Sequence, residues 1–179
     1  GSLAFSSAAL SSMLSNRYSR DNMTVGFSPS SACQTNTRAT LPVLIEISER
    51  TEDEFIRRII SSDTERLEFQ LGPSFLLYMA ARFYLSPYYR SSVPEDQKRQ
   101  RTRIFFIKAV ERFRIMIKNV RLIKESLAFW LSNTSELLNI MKQDKELIVI
   151  TAGEVQQSMD DAVKNLFDLL TVSLRDQLR

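Results

Sequence analysis

One stretch, residues 127–143, limits more than any other what this chain can fold into. It reads LAFWLSNTSELLNIMKQ, and helical spacing gathers six of its side chains on one stripe: Leu127, Trp130, Leu131, Thr134, Leu138 and Met141. Three further apolar residues widen that stripe, namely Phe129, Leu137 and Ile140. A helix that is apolar around most of its girth must be buried by several neighbours. We therefore predict that it is the central helix of an all-helical domain.

The rest of the chain supplies the neighbours of that helix. Apolar periodicity predicts an all-α, antiparallel multi-helix bundle with about five main helices. Capping boxes at residues 51–54, 92–95 and 151–154 mark predicted helix starts. The predicted core surrounds the only tryptophan, and its main residues are Phe113, Leu127, Trp130, Leu131 and Leu138. Burying a ring of that size contributes on the order of 2–3 kcal/mol.

Residues 1–40 differ from the rest because they are rich in Ser, Thr and Asn. We interpret them as a cleavage scar from recombinant expression, Gly1-Ser2, followed by a largely flexible linker, and residues 41–179 as the helical domain. Residues 3–14 within the linker could form a short helix that docks, through residues 8–14, onto a partner or a neighbouring copy. The alternative is a tail that is ordered only by chance.

The composition excludes several chemistries. The sequence has no histidine and a single cysteine, Cys33, which rules out Ser-His-Asp and Cys-His catalysis and an internal disulfide within this chain. It contains no glycine-rich phosphate-binding motif and no cysteine pair. We therefore expect no enzymatic activity, no cofactor and no metal. A lone thiol fits a reducing cytosol, and no apolar run reaches the ~20 residues that span a membrane.

A basic helix is the main electrostatic feature of the sequence. Between residues 95 and 120, eight basic residues stand against three acidic ones, with a basic cluster at Lys98, Arg99, Arg101 and Arg103. This cluster could dock acidic peptides, anionic lipids or nucleic acid. The alternative is a solvated face partly paired with acids of neighbouring helices. The aromatic residues of this helix lie mostly on its buried side, which argues against a single-strand-binding surface built on base stacking, and we expect protein partners and no nucleic acid.

Two apolar features remain after the core is assigned. The last helix, from residue 154, has an inner stripe of Val155, Met159, Val163, Leu166, Leu170 and Leu174. A second apolar edge, Phe167, Leu169 and Leu178, is expected to be exposed and to hold a partner helix or a second copy of the chain. Four tyrosines cluster at residues 78–89, where they could be phosphorylated or form a binding ledge; we favour half-buried rings with hydrated hydroxyls.

One resemblance covers about residues 41–179. FWLSNTSELLNIMKQDKEL, from Phe129 onward, resembles the signature helix of the dilute (DIL) domain, which occurs in class V myosin tails and in afadin/canoe junctional adaptors. Both groups share the core Phe129-Trp130-Leu131-Ser132-Asn133. The continuations Ser135-Glu136-Leu137-Leu138 and Lys142-Gln143-Asp144, with Leu71-Gly72-Pro73-Ser74 upstream, are more similar to afadin. The family's domain is longer, so the chain is expected to end inside it.

The resemblance implies a function that cannot be inferred from the composition. It implies a non-enzymatic module of an afadin-like scaffold, which links cell-cell adhesion complexes to the actin cytoskeleton. The implied location is the cytoplasmic side of adherens junctions, and the implied partners are junction or cytoskeletal proteins. The alternative is a segment of the cargo-binding tail of a class V myosin.

Overall fold

The computed structural model describes residues 44–62, 72–120 and 124–179. These residues belong to one compact unit, Pro42–Arg179. The predicted linker, with residues 8–14 and Cys33, lies outside the described residues. Within them there are six helices and no strand: α1 (Glu52–Ile59), α2 (Gly72–Leu85), α3 (Glu95–Val120), α4 (Lys124–Gln143), α5 (Leu147–Ile150) and α6 (Glu154–Gln177). The prediction of an all-α bundle is confirmed, with five main helices and the single-turn α5.

The packing is shared between two central helices. Helix α4 contacts α2, α3, α5 and α6, while α3 contacts each of the other five. The sequence predicted only α4 as a central helix, because α3 carries many charges and lacks the pattern of a buried helix. The length of α3 explains why it is nevertheless central, because a helix of 26 residues has enough surface to contact every neighbour.

The core is built around the tryptophan of α4. Trp130 is fully buried, and its ring packs edge-on against Phe129 and Phe113 at centroid distances of 5.0 Å and 5.9 Å. Leu127 and Leu138 are buried with them, and Leu131 is half-buried at the edge of the same core. Edge-to-face aromatic pairs of this kind add stabilisation beyond the burial of apolar area.

Asn133 explains why an amide lies within an otherwise apolar helix. It is buried, and its Oδ1 accepts a hydrogen bond of 3.2 Å from the backbone N–H of Ser74. Its Nδ2 donates to the carbonyl of Phe129 at 3.1 Å. Ser74 lies in the first turn of α2, where backbone N–H groups have no partner within the helix. Asn133 therefore caps α2 from α4 and fixes the contact between the two helices.

The predicted capping boxes at residues 51–54 and 151–154 are wrong, since α1 and α6 have no side-chain cap. The Thr51 hydroxyl instead bonds to Ser48, in the preceding turn. The Thr151 hydroxyl donates to the carbonyl of Leu147 at 2.7 Å, and Gly153 precedes α6 with a φ of 83°. In both cases a nearer hydrogen-bond partner competes successfully for the threonine side chain.

Candidate protein-interaction surface

The predicted basic docking face does not exist as a continuous surface, and three of its four residues are engaged within the fold. Lys98 is buried, and its Nζ donates to the carbonyl of Ser86 at 3.4 Å. Arg103 donates to the carbonyl of Ile150 at 2.8 Å, so it fastens the end of α5. Arg101 binds the carboxylate of Glu52. Only Arg99 is exposed as predicted, because the many neighbours of α3 supply acceptors for the other three.

A buried ionic cluster joins α1, α2 and α3. Its centre is Glu52, which is fully buried although it is the first residue of α1. The Glu52 carboxylate accepts a 2.6 Å hydrogen bond from the Tyr84 hydroxyl and pairs with Arg101 and, at 2.9 Å, with Lys108. The guanidinium of Arg101 also lies 5.4 Å from the ring centroid of Tyr84. Lys108 also pairs with Asp53 at 2.7 Å, so two carboxylates balance the two cations, which suits a structural connection rather than a ligand site.

Sequence reasoning missed this cluster. In the sequence, Glu52 has the appearance of an ordinary acid at a helix start, where the helix dipole favours a negative charge. Its partners lie 32 to 49 residues further along the chain, at Tyr84 and Arg101. No spacing rule within one helix could have connected them. Tyr84 and Arg101 belong to different helices. Nothing in their sequence positions indicates that they enclose the same carboxylate.

The tyrosine cluster splits into three anchored rings and one exposed ring. Besides Tyr84, the hydroxyl of Tyr89 donates to Glu49 at 2.7 Å, and that of Tyr78 donates to Asp144 at 3.0 Å. The interpretation with hydrated hydroxyls is therefore wrong for these three, because each hydroxyl is bound by a carboxylate. Burial raises the pKa of each hydroxyl above its ordinary value, and the neighbouring carboxylate raises it further.

The largest run of exposed apolar side chains lies on the second half of α6. Phe167, Leu174 and Leu178 are 58%, 41% and 89% exposed. Half-buried Val163 and Leu170 lie on the same edge, because steps of three or four residues return to one side of a helix. We call these five residues, 163, 167, 170, 174 and 178, the α6 ridge. The inner stripe was predicted to include Leu174, which the structure instead exposes.

Leu169 does not belong to this ridge, which corrects the prediction that it shares an edge with Phe167 and Leu178. Two residues along a helix correspond to a rotation of about 200°, so Leu169 points away from Phe167. It is half-buried and packs against the core from the other side. Val172 is 54% exposed but also lies off the ridge, and it therefore offers a matched control for experiments on this helix.

Helix α4 runs antiparallel beside the ridge. At one end Lys142 Nζ lies 3.4 Å from Asp160 Oδ1, and at the other Lys124 Nζ donates to Gln177 Oε1 at 2.8 Å. Helical spacing places Ala128 on the same edge of α4 as the two lysines. Ser135 shares that edge, and both residues are half-buried. Small side chains beside an apolar ridge leave room for another helix to approach.

No protein-family model matches the chain, and no solved structure matches it at a significant level. The resemblance to the dilute domain therefore stays a prediction. Within the described ranges, no helix combines the length and the apolar character that crossing a membrane requires.

Proposed function

We propose that this chain is a non-enzymatic protein-interaction module that docks a partner through the α6 ridge. The exposure of Phe167, Leu174 and Leu178 in a row along one helix edge carries this proposal. Exposed apolar patches that are contiguous over a few hundred Å² are uncommon on monomers and mark interaction surfaces. Burying such a patch gains about 25 cal/mol per Å² before the cost of association is subtracted.

We further propose that the module belongs to an afadin-like scaffold that links adhesion complexes to actin at cell-cell junctions. The support is the stretch that begins at Phe129, whose most characteristic residues have definite structural tasks. Trp130 fills the core, and Asn133 caps α2. These tasks give a physical reason why a chain of this kind would keep an aromatic-Trp-Leu-x-Asn core.

The second candidate is a segment of the cargo-binding tail of a class V myosin. It is favoured by the same five residues, from Phe129 to Asn133, because that core is common to both groups. The residues Lys142-Gln143-Asp144 favour the scaffold. Both candidates are protein-docking modules, so the α6 ridge has the same role in each, and they differ in where the protein acts.

The basic helix α3 has no part in this proposal. Of its predicted docking residues, Lys98, Arg101 and Arg103 are bound to groups of the same chain. Arg99 alone does not make a charged surface that could recognise an acidic peptide or a nucleic acid, since such recognition depends on several clustered cations. Charge reversal of the cluster would therefore test the fold rather than partner binding.

The test is localisation of the fluorescently tagged chain in epithelial monolayers. We expect enrichment at cell-cell contacts, and loss of that enrichment in the double variant Phe167→Glu and Leu178→Glu. Both side chains are largely exposed, so the fold should persist. Val172→Glu, on the same helix but off the ridge, should behave like the parent.

Two results would count against the proposal. Movement on vesicles along actin, without junctional enrichment, would favour the myosin candidate. A diffuse distribution that neither variant changes would contradict both candidates and leave the ridge without a demonstrated role.

A further inference from the structure

We infer that the groove between α2 and α3 is a docking site for an acidic amphipathic helix, and that α1 occupies it until such a partner displaces it. We call residues 44–62, which include α1, the α1 segment. The groove is separate from the α6 ridge, so the inference does not depend on the role proposed for the ridge. In the closed chain the cluster around Glu52 is a structural connection, and it becomes a recognition site only when α1 leaves.

The polar contacts across this interface place the donors in the groove and the acceptors on the α1 segment. The Glu52 carboxylate accepts from Tyr84, Arg101 and Lys108. The same direction holds at three further contacts: Lys108 to Asp53 at 2.7 Å, the Tyr89 hydroxyl to Glu49 at 2.7 Å, and Arg112 Nε to the carbonyl of Ile60 at 2.9 Å. The groove is therefore complementary to a helix that carries acids near its start.

The charge of the groove selects an acidic occupant. Arg101 and Lys108 both reach the carboxylate of Glu52, so their charged groups lie close together. Arg112 follows Lys108 by one turn on the same edge of α3. Without the acids of α1 these cations would face one another, and like charges at close range are unfavourable. An open groove is therefore stabilised by a carboxylate-bearing partner and disfavours a neutral or basic one.

The isoleucines of the α1 segment supply the apolar half of the recognition pattern. Ile56 and Ile60 are 3% and 0% exposed, and they follow Glu52 by four and eight residues. That spacing places the acid and both apolar side chains on one stripe of a helix. The expected partner is thus a helix in which an acid is followed by apolar residues four and eight positions later.

Helix α1 is weakly secured compared with the other main helices. It has 8 residues, packs against α2 and α3, and within its bounds buries only Glu52 and Ile56. A helix this short does not persist in water by itself, so its folding and its docking form one step. Desolvation offsets much of the attraction in its buried ion pairs. Elements of this kind open locally at a lower free energy than the core does.

The turn between α2 and α3 adds strain that opening would release. Arg90 has a φ of 36°, in the left-handed region that residues with a side chain rarely adopt. Its guanidinium lies 5.7 Å from the ring centroid of Tyr89 and pairs with Glu49 at 3.6 Å. Contacts with the α1 segment therefore help to hold this conformation. Departure of the segment lets the turn relax, which favours displacement.

The first experiment measures hydrogen exchange of the parent chain in low concentrations of urea. We expect the amides of α1 to be at least tenfold less protected than those of α4, with a weaker dependence on urea, because their opening exposes less surface. Leu166→Val, a change in the core contact of α6, should lower the protection of α4 and leave that of α1 unchanged. The core loses the same contact whether α1 is docked or not.

The second experiment measures binding in trans by fluorescence anisotropy of a labelled peptide with the sequence of residues 44–62. The receptor is the full chain carrying Glu52→Lys, which sets a third cation against Arg101 and Lys108 and so releases its own α1. The peptide should bind this chain at least tenfold more tightly than it binds the parent, whose α1 competes for the groove. Circular dichroism verifies that the helices of the variant chain remain.

Two peptide variants of equal charge test whether the groove recognises the position of the acid. Glu52→Gln in the peptide should weaken binding by at least tenfold. Glu54→Gln should bind like the parent peptide, because Glu54 pairs with Arg57 and Arg58 of α1 itself. In the receptor, adding Arg101→Ala should abolish binding, whereas adding Arg99→Ala, at an exposed position of α3, should not.

Three outcomes would overturn the inference. One is exchange of the α1 amides only in the transition that unfolds α4, which would mean that α1 does not open separately. Another is a Glu52→Lys chain that fails to fold or does not bind the peptide. The third is equal binding of the Glu52→Gln and Glu54→Gln peptides, which would reduce the attraction to net charge alone.

Discussion

At the scale of single residues, two neighbouring arginines of α3 show how context decides the role of a charge. Arg99 is exposed. Arg101, half a turn further along, binds buried Glu52 and lies over the ring of Tyr84. An exposed charge contributes little to stability, whereas one partner of a buried ion pair cannot be removed without leaving the other uncompensated. The sequence alone does not distinguish these two arginines.

This contrast gives the first prediction. Arg101→Glu sets a second carboxylate against Glu52, and we expect it to lower the free energy of unfolding by about 3–5 kcal/mol, a large part of typical stability. Arg99→Glu should change it by no more than about 0.5 kcal/mol. Urea denaturation followed by tryptophan fluorescence compares the two. Equal midpoints for both variants would mean that the buried ion pair does not hold α1 in place.

At the scale of elements, the segment that leads into α1 is fastened by tyrosine hydroxyls as well as by apolar contacts. Tyr84 binds Glu52, and Tyr89 binds Glu49. Both hydroxyls have a pKa above the ordinary value of 10.0, first because of burial and then because of the carboxylate. The neutral phenol is therefore favoured in the folded chain, and the unfolded chain loses these protons at lower pH.

The second prediction follows from the sign of that difference. Stability due to the raised pKa values is fully present below about pH 10 and declines as the pH rises above it, because only the unfolded tyrosines ionise readily there. Tyr84→Phe should unfold at lower urea concentration at neutral pH, yet lose less stability between neutral and alkaline conditions than the parent. A steeper alkaline loss in Tyr84→Phe would contradict this assignment.

Element by element, the apolar pattern predicted much of the fold and little of the polar chemistry. It located α4 and its core residues Trp130, Leu127 and Leu138, because burial repeats with the helical period. It misplaced Leu169 and Leu174, since an edge residue differs from a core residue only by where neighbouring helices lie. It could not pair Asn133 with Ser74, because their contact spans 59 residues of chain.

At the scale of the whole molecule, the chain combines a packed helical core with an exposed apolar edge on α6. The predicted docking cluster of α3 is largely used inside the fold, whereas the ridge residues Phe167, Leu174 and Leu178 are exposed along the end of α6. This division is what a docking module needs: a rigid scaffold of helices and one edge at which association buries apolar area. We therefore expect that this edge contacts protein in the cell.

Site-directed photo-crosslinking in cells can detect such a contact. A photoreactive phenylalanine analogue replaces Phe167 in the tagged chain, and a matched chain carries it at Val172, which is equally exposed on the same helix but off the ridge. After irradiation of cells, we predict adducts from position 167, identified by mass spectrometry as a second copy of the chain or a junction protein, and few from position 172. Absence of adducts at position 167, or equal yields from both positions, would mean that the α6 ridge is not a protein-docking surface.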